Sequence, residues 1–196
     1  MMKILLASGS PRRIELLRGS GFEVRVHPSG VDESFDGLKT PAEIAEFLAK
    51  IKAEAVLGEE AQDEFIVAAD TSVVIGDKIL GKPKDREDAI NMLGSLSGKY
   101  HEVYTGIAVI YRKKLVTSHC VTRVLFDSLS KELIESYVDT GEPMDKAGAY
   151  GIQHYGPALV KGIDGDYFNV MGLPLNTLYG IFDKEFGIKP LSWIKK

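Results

Sequence analysis

The stretch FIVAADTSVVI, Phe65 to Ile75, is apolar and β-branched almost throughout, with one carboxylate, Asp70, in its middle. It is too short and too rich in Val and Ile for an independent helix, so it reads as a strand buried on both faces, as in sheets covered by helices. Asp70 and Thr71 interrupt the apolar run. A carboxylate in such surroundings is costly to bury, so Asp70 must reach a crevice at the strand end, a metal ion or a basic partner. A hydrogen-bonded aspartate closing a turn is the alternative.

Upstream, Ile4 to Ala7 predicts a short buried strand, Gly9 a turn, and Ser10 and Pro11 the cap and first residue of a helix ending at Gly19 or Gly21. Phe22 to His27 predicts a second strand. Thr40, Pro41 and Glu43 form a capping box, and Ile44, Phe47, Leu48, Ile51 and Ala55 follow at helical spacing up to Gly58. Downstream, Asp85 caps a helix carrying Ala89, Met92, Leu93 and Leu96, and EVYTGIAVIY and LVTSHCVTRVLF form a hairpin around Arg112, Lys113 and Lys114. Ser130 caps a further helix, GAYGIQHYGPALV is a glycine-rich loop passing into a strand, and Leu173 to Phe186 forms the last helix. Alternating strands and helices followed by a hairpin predict an α/β fold with a mixed, twisted central sheet flanked by helices, in one domain over residues 1–196 or as two lobes with a cleft between them.

Hydrophobic residues make up 44% and charged residues 27% of the 196, ordinary values for a packed globular chain. A formal charge of −4 argues against a general nucleic-acid binder, so an anionic ligand must be held by local positive charge. No apolar run reaches the roughly 18 residues of a spanning helix, which predicts no membrane partner and a cytoplasmic address. The single cysteine, Cys120, fits a reducing compartment and reads as a buried, inert thiol. Tyr155 and Trp193 read as exposed aromatics.

Local positive charge is concentrated in SGSPRRIELL, where Arg12 and Arg13 occupy the first turn of a helix, a position that favours acidic residues. With Ser8 and Ser10, the arginines and the helix terminus suit a polyphosphate clamp. The pattern alone leaves open two solvated arginines beside Glu15. Lys82, stiffened by Pro83, reads as an ordinary turn lysine, Lys52 as a lysine on the polar face of its helix, and Glu33 as a loop carboxylate. The four histidines are scattered, which disfavours zinc; carboxylates favour Mg²⁺ or Mn²⁺. No P-loop, nucleophile elbow or HExxH is present in the sequence.

Taken together, SGSPRRIELL, AADTSVV, ILGKP, DREDAINMLGSLSGKYHEVYTGIAV and DKAGAYGIQ resemble, in order and over essentially the whole chain, the Maf family of nucleoside triphosphate pyrophosphatases, once known as septum formation inhibitors. The resemblance implies a cytoplasmic, often dimeric enzyme with a fold similar to inosine triphosphatases, using a divalent metal to cleave a nucleoside triphosphate between its α- and β-phosphates. It makes Asp70 the proton acceptor and, with Glu33, a metal ligand. Ser8, Ser10, Arg12, Arg13, Glu33, Lys52 and Lys82 become substrate-binding residues, and Arg12, Thr71 and Gln153 become determinants of base preference. GAYGIQ resembles the branch acting on dTTP and UTP, in which Gln153 would read the imide edge of a pyrimidine. A nucleotide-binding regulator of cell division with little turnover is the alternative.

Overall fold

The computed structural model describes residues 1–34, 37, 40–61 and 63–194. Among the described residues, seven strands and six α-helices follow one another along the chain. Strand β1 (Lys3–Leu6) leads through α1 (Pro11–Gly19) to β2 (Glu23–Val26), and α2 (Pro41–Glu54) leads to β3 (Glu64–Ile75). A short β4 (Lys78–Leu80) precedes α3 (Arg86–Leu96), the hairpin strands β5 (Tyr100–Tyr111) and β6 (Lys114–Phe126), and α4 (Lys131–Asp139). After 3-10 turns come β7 (Val160–Asp164), α5 (Tyr167–Met171) and α6 (Leu175–Phe186). The strand order is β2-β1-β3-β5-β6-β7, with β4 on β3; β1 pairs in parallel with β2 and β3, whereas β3–β4 and β6–β7 are antiparallel. The expected mixed α/β fold is therefore the one observed.

The chain gathers into two compact units: Met1–Asp70, Thr105–Cys120 and Gly172–Lys196 form the first, and Thr71–Tyr104 with Val121–Met171 the second. In the first, α2 lies on a surface of small residues. Ala49 and Ala53 of the helix share a buried cluster with Leu5, Ile66, Ala68 and Ala108 of the strands and with Ala7 just beyond β1. Gly106 sets how close they come, since a β-carbon there would stand 2.1 Å from the Ala45 carbonyl oxygen. The opposite face of β3 is aromatic: Phe65 stacks on Tyr111 at 4.0 Å and meets Phe182 and Phe186 of α6 edge-on. In the second unit, α3 and α4 bury Leu93, Leu96 and Tyr137 with Val124, Phe126 and Tyr150.

The capping box is present as expected: Thr40 Oγ1 accepts from the Glu43 N–H at 3.2 Å and the Glu43 carboxylate accepts from the Thr40 N–H at 3.0 Å. Asp85 and Ser130 likewise cap α3 and α4. Strand β3 runs through the polar Asp70 and Thr71 as read, and an ion pair with Lys52 compensates the buried carboxylate. Several other expectations need correction. Phe47 is exposed, while Ala45, Ala49 and Ala53 fill the core side of α2, because the sheet lies too close for a ring. Trp193 is buried: its indole stacks on Phe22 at 4.8 Å and donates to the Ser20 carbonyl at 2.9 Å. Cys120 is only partly buried. Helix α5 is an addition to the expected elements; Leu173 itself lies ahead of α6.

Two consequences are measurable. Gly106→Ala must push α2 off β5, and overpacking of this kind costs about 3 kcal/mol in denaturant unfolding; an unchanged midpoint would show that the helix yields freely. Burial lowers His101 from the usual 6.5 to about 4. Below about pH 6.5 the unfolded chain binds a proton that the folded chain refuses, so this contribution to stability is intact at neutral pH and lost as pH falls toward 4, by about 1.4 kcal/mol per pH unit. His101→Gln, which retains a partner for the Tyr150 hydroxyl 2.7 Å away, should flatten that part of the urea-midpoint profile; an identical slope would exclude His101 as its source.

Candidate active site

Strands β1 and β3 are neighbours with Leu6 opposite Val67, and the Ala7 N–H extends the ladder to the Val67 carbonyl at 2.9 Å. There β1 stops while β3 continues, so Ser8 leaves the sheet beside the part of β3 that leads to Asp70. The chain passes from β1 to β2 on one side and from β2 to β3 on the other. This divergence of connections marks the place where open α/β sheets bind ligands, beyond the carboxyl ends of the strands.

Asp70 has the alternation of Ile66 and Ala68, which face α2. Lys52 belongs to the inward stripe of α2, at helical spacing from Leu48, Ala49 and Val56, all buried. Its ammonium lies 2.5 Å from Asp70 Oδ1 and 2.8 Å from Glu33 Oε1. The Lys52 and Asp70 side chains are 10% and 12% exposed, whereas Glu33 is 57% exposed. The pair is therefore shielded on one side and reached from solvent on the other. Among the described residues, Asp70 Oδ2 receives no hydrogen bond. The sequence-based reading of Lys52 as a solvated lysine is corrected, and Asp70 takes the basic-partner option rather than closing a turn.

Helix α1 adds to this cluster within the first unit. Ser10 is its N-cap in extended conformation but makes no side-chain cap bond, and the first turn contains no acidic residue. Instead the Ser10 N–H donates to Ser8 Oγ at 3.3 Å. Arg13 folds back: Nε donates to the Gly172 carbonyl at 2.8 Å and Nη1 to Ser8 Oγ at 3.1 Å. Burial lowers its pKa from the ordinary value, opposed by the nearby Asp70 charge; Arg12 also lowers it and Glu33 raises it. A guanidinium stays protonated regardless. Arg13 is thus fixed by the protein and electrostatically coupled to both carboxylates, unlike a solvated arginine. Arg12 is partly exposed beside it.

Ser8, Ser10, Arg12, Arg13, Glu33, Lys52 and Asp70 all belong to the first unit. Lys82, Thr71 and Gln153 belong to the second. Lys82 is exposed between Gly81, whose carbonyl accepts from the Gly148 N–H at 2.9 Å, and buried Pro83. Thr71 and Gln153 are partly exposed, and the Gln153 carbonyl accepts from the Gly156 N–H at 2.8 Å. Among the described residues no three His, Cys, Asp or Glu side chains gather as a metal cluster. Asp70 and Glu33 are hard oxygen donors converging on one cationic centre, a donor set that fits Mg²⁺ or Mn²⁺ sharing its shell with phosphate oxygens.

The fold resembles that of the Staphylococcus aureus Ham1 protein, with a TM-score of 0.50 over 93% of this chain and 99% of that one at 16% identity, which places the chain in the same α/β fold class. The family model described as Maf-like protein matches residues 3–185, and the chain belongs to the Maf family. Named relatives agree over nearly full length. A dTTP/UTP pyrophosphatase of Pelotomaculum thermopropionicum is 49% identical over 97% of this chain and 100% of its own. One from Pyrococcus furiosus is 50% identical over 96% and 98%, and one from Aquifex aeolicus 47% identical over 92% and 94%.

The buried pair has an asymmetry that unfolding can read. Lys52→Met leaves the Asp70 carboxylate buried without its ammonium, a loss of about 3 kcal/mol or more. Asp70→Asn leaves Lys52 paired with Glu33, so its loss should be about half as large. Equal losses in urea titrations would mean that Glu33 contributes nothing to holding the lysine.

Proposed function

We propose that the protein is a pyrimidine nucleoside triphosphate pyrophosphatase that converts dTTP and UTP to the monophosphate and pyrophosphate, a housekeeping role in the nucleotide pool. The observation that carries this reading is Asp70, midway along β3, held against Lys52, with the fixed Arg13 and Ser8 just beyond the carboxyl end of β1. The names of the near full-length relatives support it and supply the substrates. The cytoplasmic, homodimeric form we assign rests on the family resemblance. No helix among the described residues is long and apolar enough to cross a membrane.

In this reading a water molecule held by Asp70 attacks the α-phosphorus. As the new P–O bond forms, Asp70 takes the proton; the α–β bridging P–O bond breaks and its electron pair leaves with pyrophosphate. Arg13, already oriented by the Gly172 carbonyl and Ser8, meets the developing charge without reorganising, with Arg12, Ser10, Lys82 and the α1 terminus as further phosphate ligands. Lys52 holds Asp70 in place and tethers Glu33 at the rim. A divalent ion held by Asp70 and Glu33 would supply charge neutralisation on the phosphate oxygens and acidify a bound water. Arg12, Thr71 and Gln153 set the base, with the Gln153 amide offering both a donor and an acceptor to a uracil or thymine edge.

The reading is tested by pyrophosphate release from a panel of ordinary and modified triphosphates with Mg²⁺ or Mn²⁺. The expected pattern is turnover of UTP and dTTP above the other nucleotides, reduced at least about 1000-fold in Asp70→Asn with folding retained. Tight triphosphate binding without product, with any divalent metal, would replace the enzyme by a nucleotide-binding regulator. Arg13→Ala should slow all triphosphates, whereas Arg12→Ala should also change the order of preference.

A further inference from the structure

The segment carrying Gln153 is not held by regular structure. It follows Gly148 and Ala149, both left-handed, at φ 67° and 61°, and includes His154 at φ 49°. Non-glycine residues occupy that region only where their surroundings impose it. The surroundings here are two side chains that the proposed chemistry does not use. Tyr137, buried in α4, donates its hydroxyl proton to Glu142 Oε1 at 2.9 Å and accepts at the same oxygen from the Gly151 N–H at 3.0 Å. The other carboxylate oxygen, Glu142 Oε2, accepts from the Tyr155 N–H at 3.4 Å. Gly151 and Tyr155 stand two residues before and two after Gln153, so one hydrogen-bonded pair grips both flanks of that residue.

Three further features indicate that the grip is built in. Thr140 Oγ1 donates to the Tyr137 main-chain carbonyl at 2.6 Å and accepts from the Glu142 N–H at 3.1 Å, fixing the donor and acceptor to each other before the segment is reached. Lys146 Nζ donates to the Glu142 carbonyl at 2.6 Å and lays its stem against Gly151, where a β-carbon would stand 2.8 Å from Lys146 Cε and 3.2 Å from Glu142 Oε1. Burial raises the Tyr137 phenol above its ordinary pKa, which keeps the hydroxyl proton available for Glu142.

We infer that Tyr137 and Glu142 are positioning residues for base selection: together they clamp the Gly151 and Tyr155 amides and thereby hold Gln153 in the one placement from which its side-chain amide reads a pyrimidine edge. This rests on the assignment of Gln153 as a base-reading residue. Without the clamp, the backbone on either side of Gln153 relaxes from its left-handed turns, and the amide samples orientations that accept cytosine as well as uracil. The clamp acts on discrimination first and on chemistry second, since neither residue touches the phosphates.

The test uses Tyr137→Phe, which keeps the ring in the core and removes only the hydroxyl, beside Gln153→Ala. Hydrogen exchange should show the amides of residues 151–155 exchanging about tenfold faster in Tyr137→Phe, while the α3 and α4 amides keep their protection. The ratio of kcat/KM for UTP to that for CTP should fall about three- to tenfold, through a rise in KM for UTP larger than the drop in kcat. Glu142→Ala should reproduce both effects, and Glu142→Gln, which retains a carbonyl acceptor, should restore part of the ratio. A ratio that collapses in Gln153→Ala but stays at the wild-type value in Tyr137→Phe overturns the clamp and leaves the role of Gln153 standing. A ratio indifferent to Gln153→Ala overturns both, as does the absence of turnover with every triphosphate. Unchanged exchange at residues 151–155 overturns the clamp irrespective of activity.

Discussion

The packing of α2 on the sheet of the first unit turns on one expensive contact, the buried pairing of Lys52 with Asp70. Two charges taken out of water gain from each other only when their geometry is close and their remaining polar atoms are served. That requirement explains the small residues between α2 and the sheet: with Gly106 under Ala45 and alanines at positions 49, 53, 68 and 108, the helix comes near enough for a lysine to reach a strand carboxylate. Larger side chains there would have given a thicker, more apolar core and lost the pair. Hydrophobic packing is thus subordinated at this spot to a polar contact that adds little stability by itself, a compromise typical of functional sites.

The same compromise governs α1. A helix whose first turn carries two arginines and no acid, and whose cap residue makes no side-chain bond, is poorly matched to its own dipole. Arg13 is nevertheless fixed, because the Gly172 carbonyl and Ser8 hold its guanidinium from outside the helix. Local frustration at the terminus and tertiary restraint of the side chain together leave a cation that is pre-placed beside Asp70 and Glu33. An anion carrying several charges is the natural complement to that combination.

The fold was readable in the sequence wherever a local rule sufficed. The capping box at Thr40, the caps at Asp85 and Ser130, and the buried run from Phe65 to Ile75 are decided within a few residues, and they appear as expected. What escaped was decided by distant partners. Lys52 looked like a surface lysine because the carboxylate that draws it inward is 18 residues away, although its place in the Leu48, Ala49 and Val56 stripe was a visible signal. Trp193 looked exposed because Phe22 and Ser20 lie at the other end of the chain. Tyr137 and Glu142 carried no signal of their own, since a helical tyrosine and a loop glutamate have ordinary explanations until the Gly151 and Tyr155 amides are seen against them.

The burial of Trp193 has a practical side. Its ring lies against Phe22 and Tyr179, and its indole N–H caps the carbonyl of Ser20, directly behind α1. The carboxyl-terminal segment is therefore a buttress at the far end of the helix that begins with Pro11, Arg12 and Arg13. Shortening the chain ahead of Trp193, or crowding that end with an appended sequence, would loosen the arginine turn from behind. An end of the chain that looks dispensable in sequence is thus packed against the helix that carries Arg12 and Arg13, and preparations that differ only in how that end is handled should not be treated as the same protein.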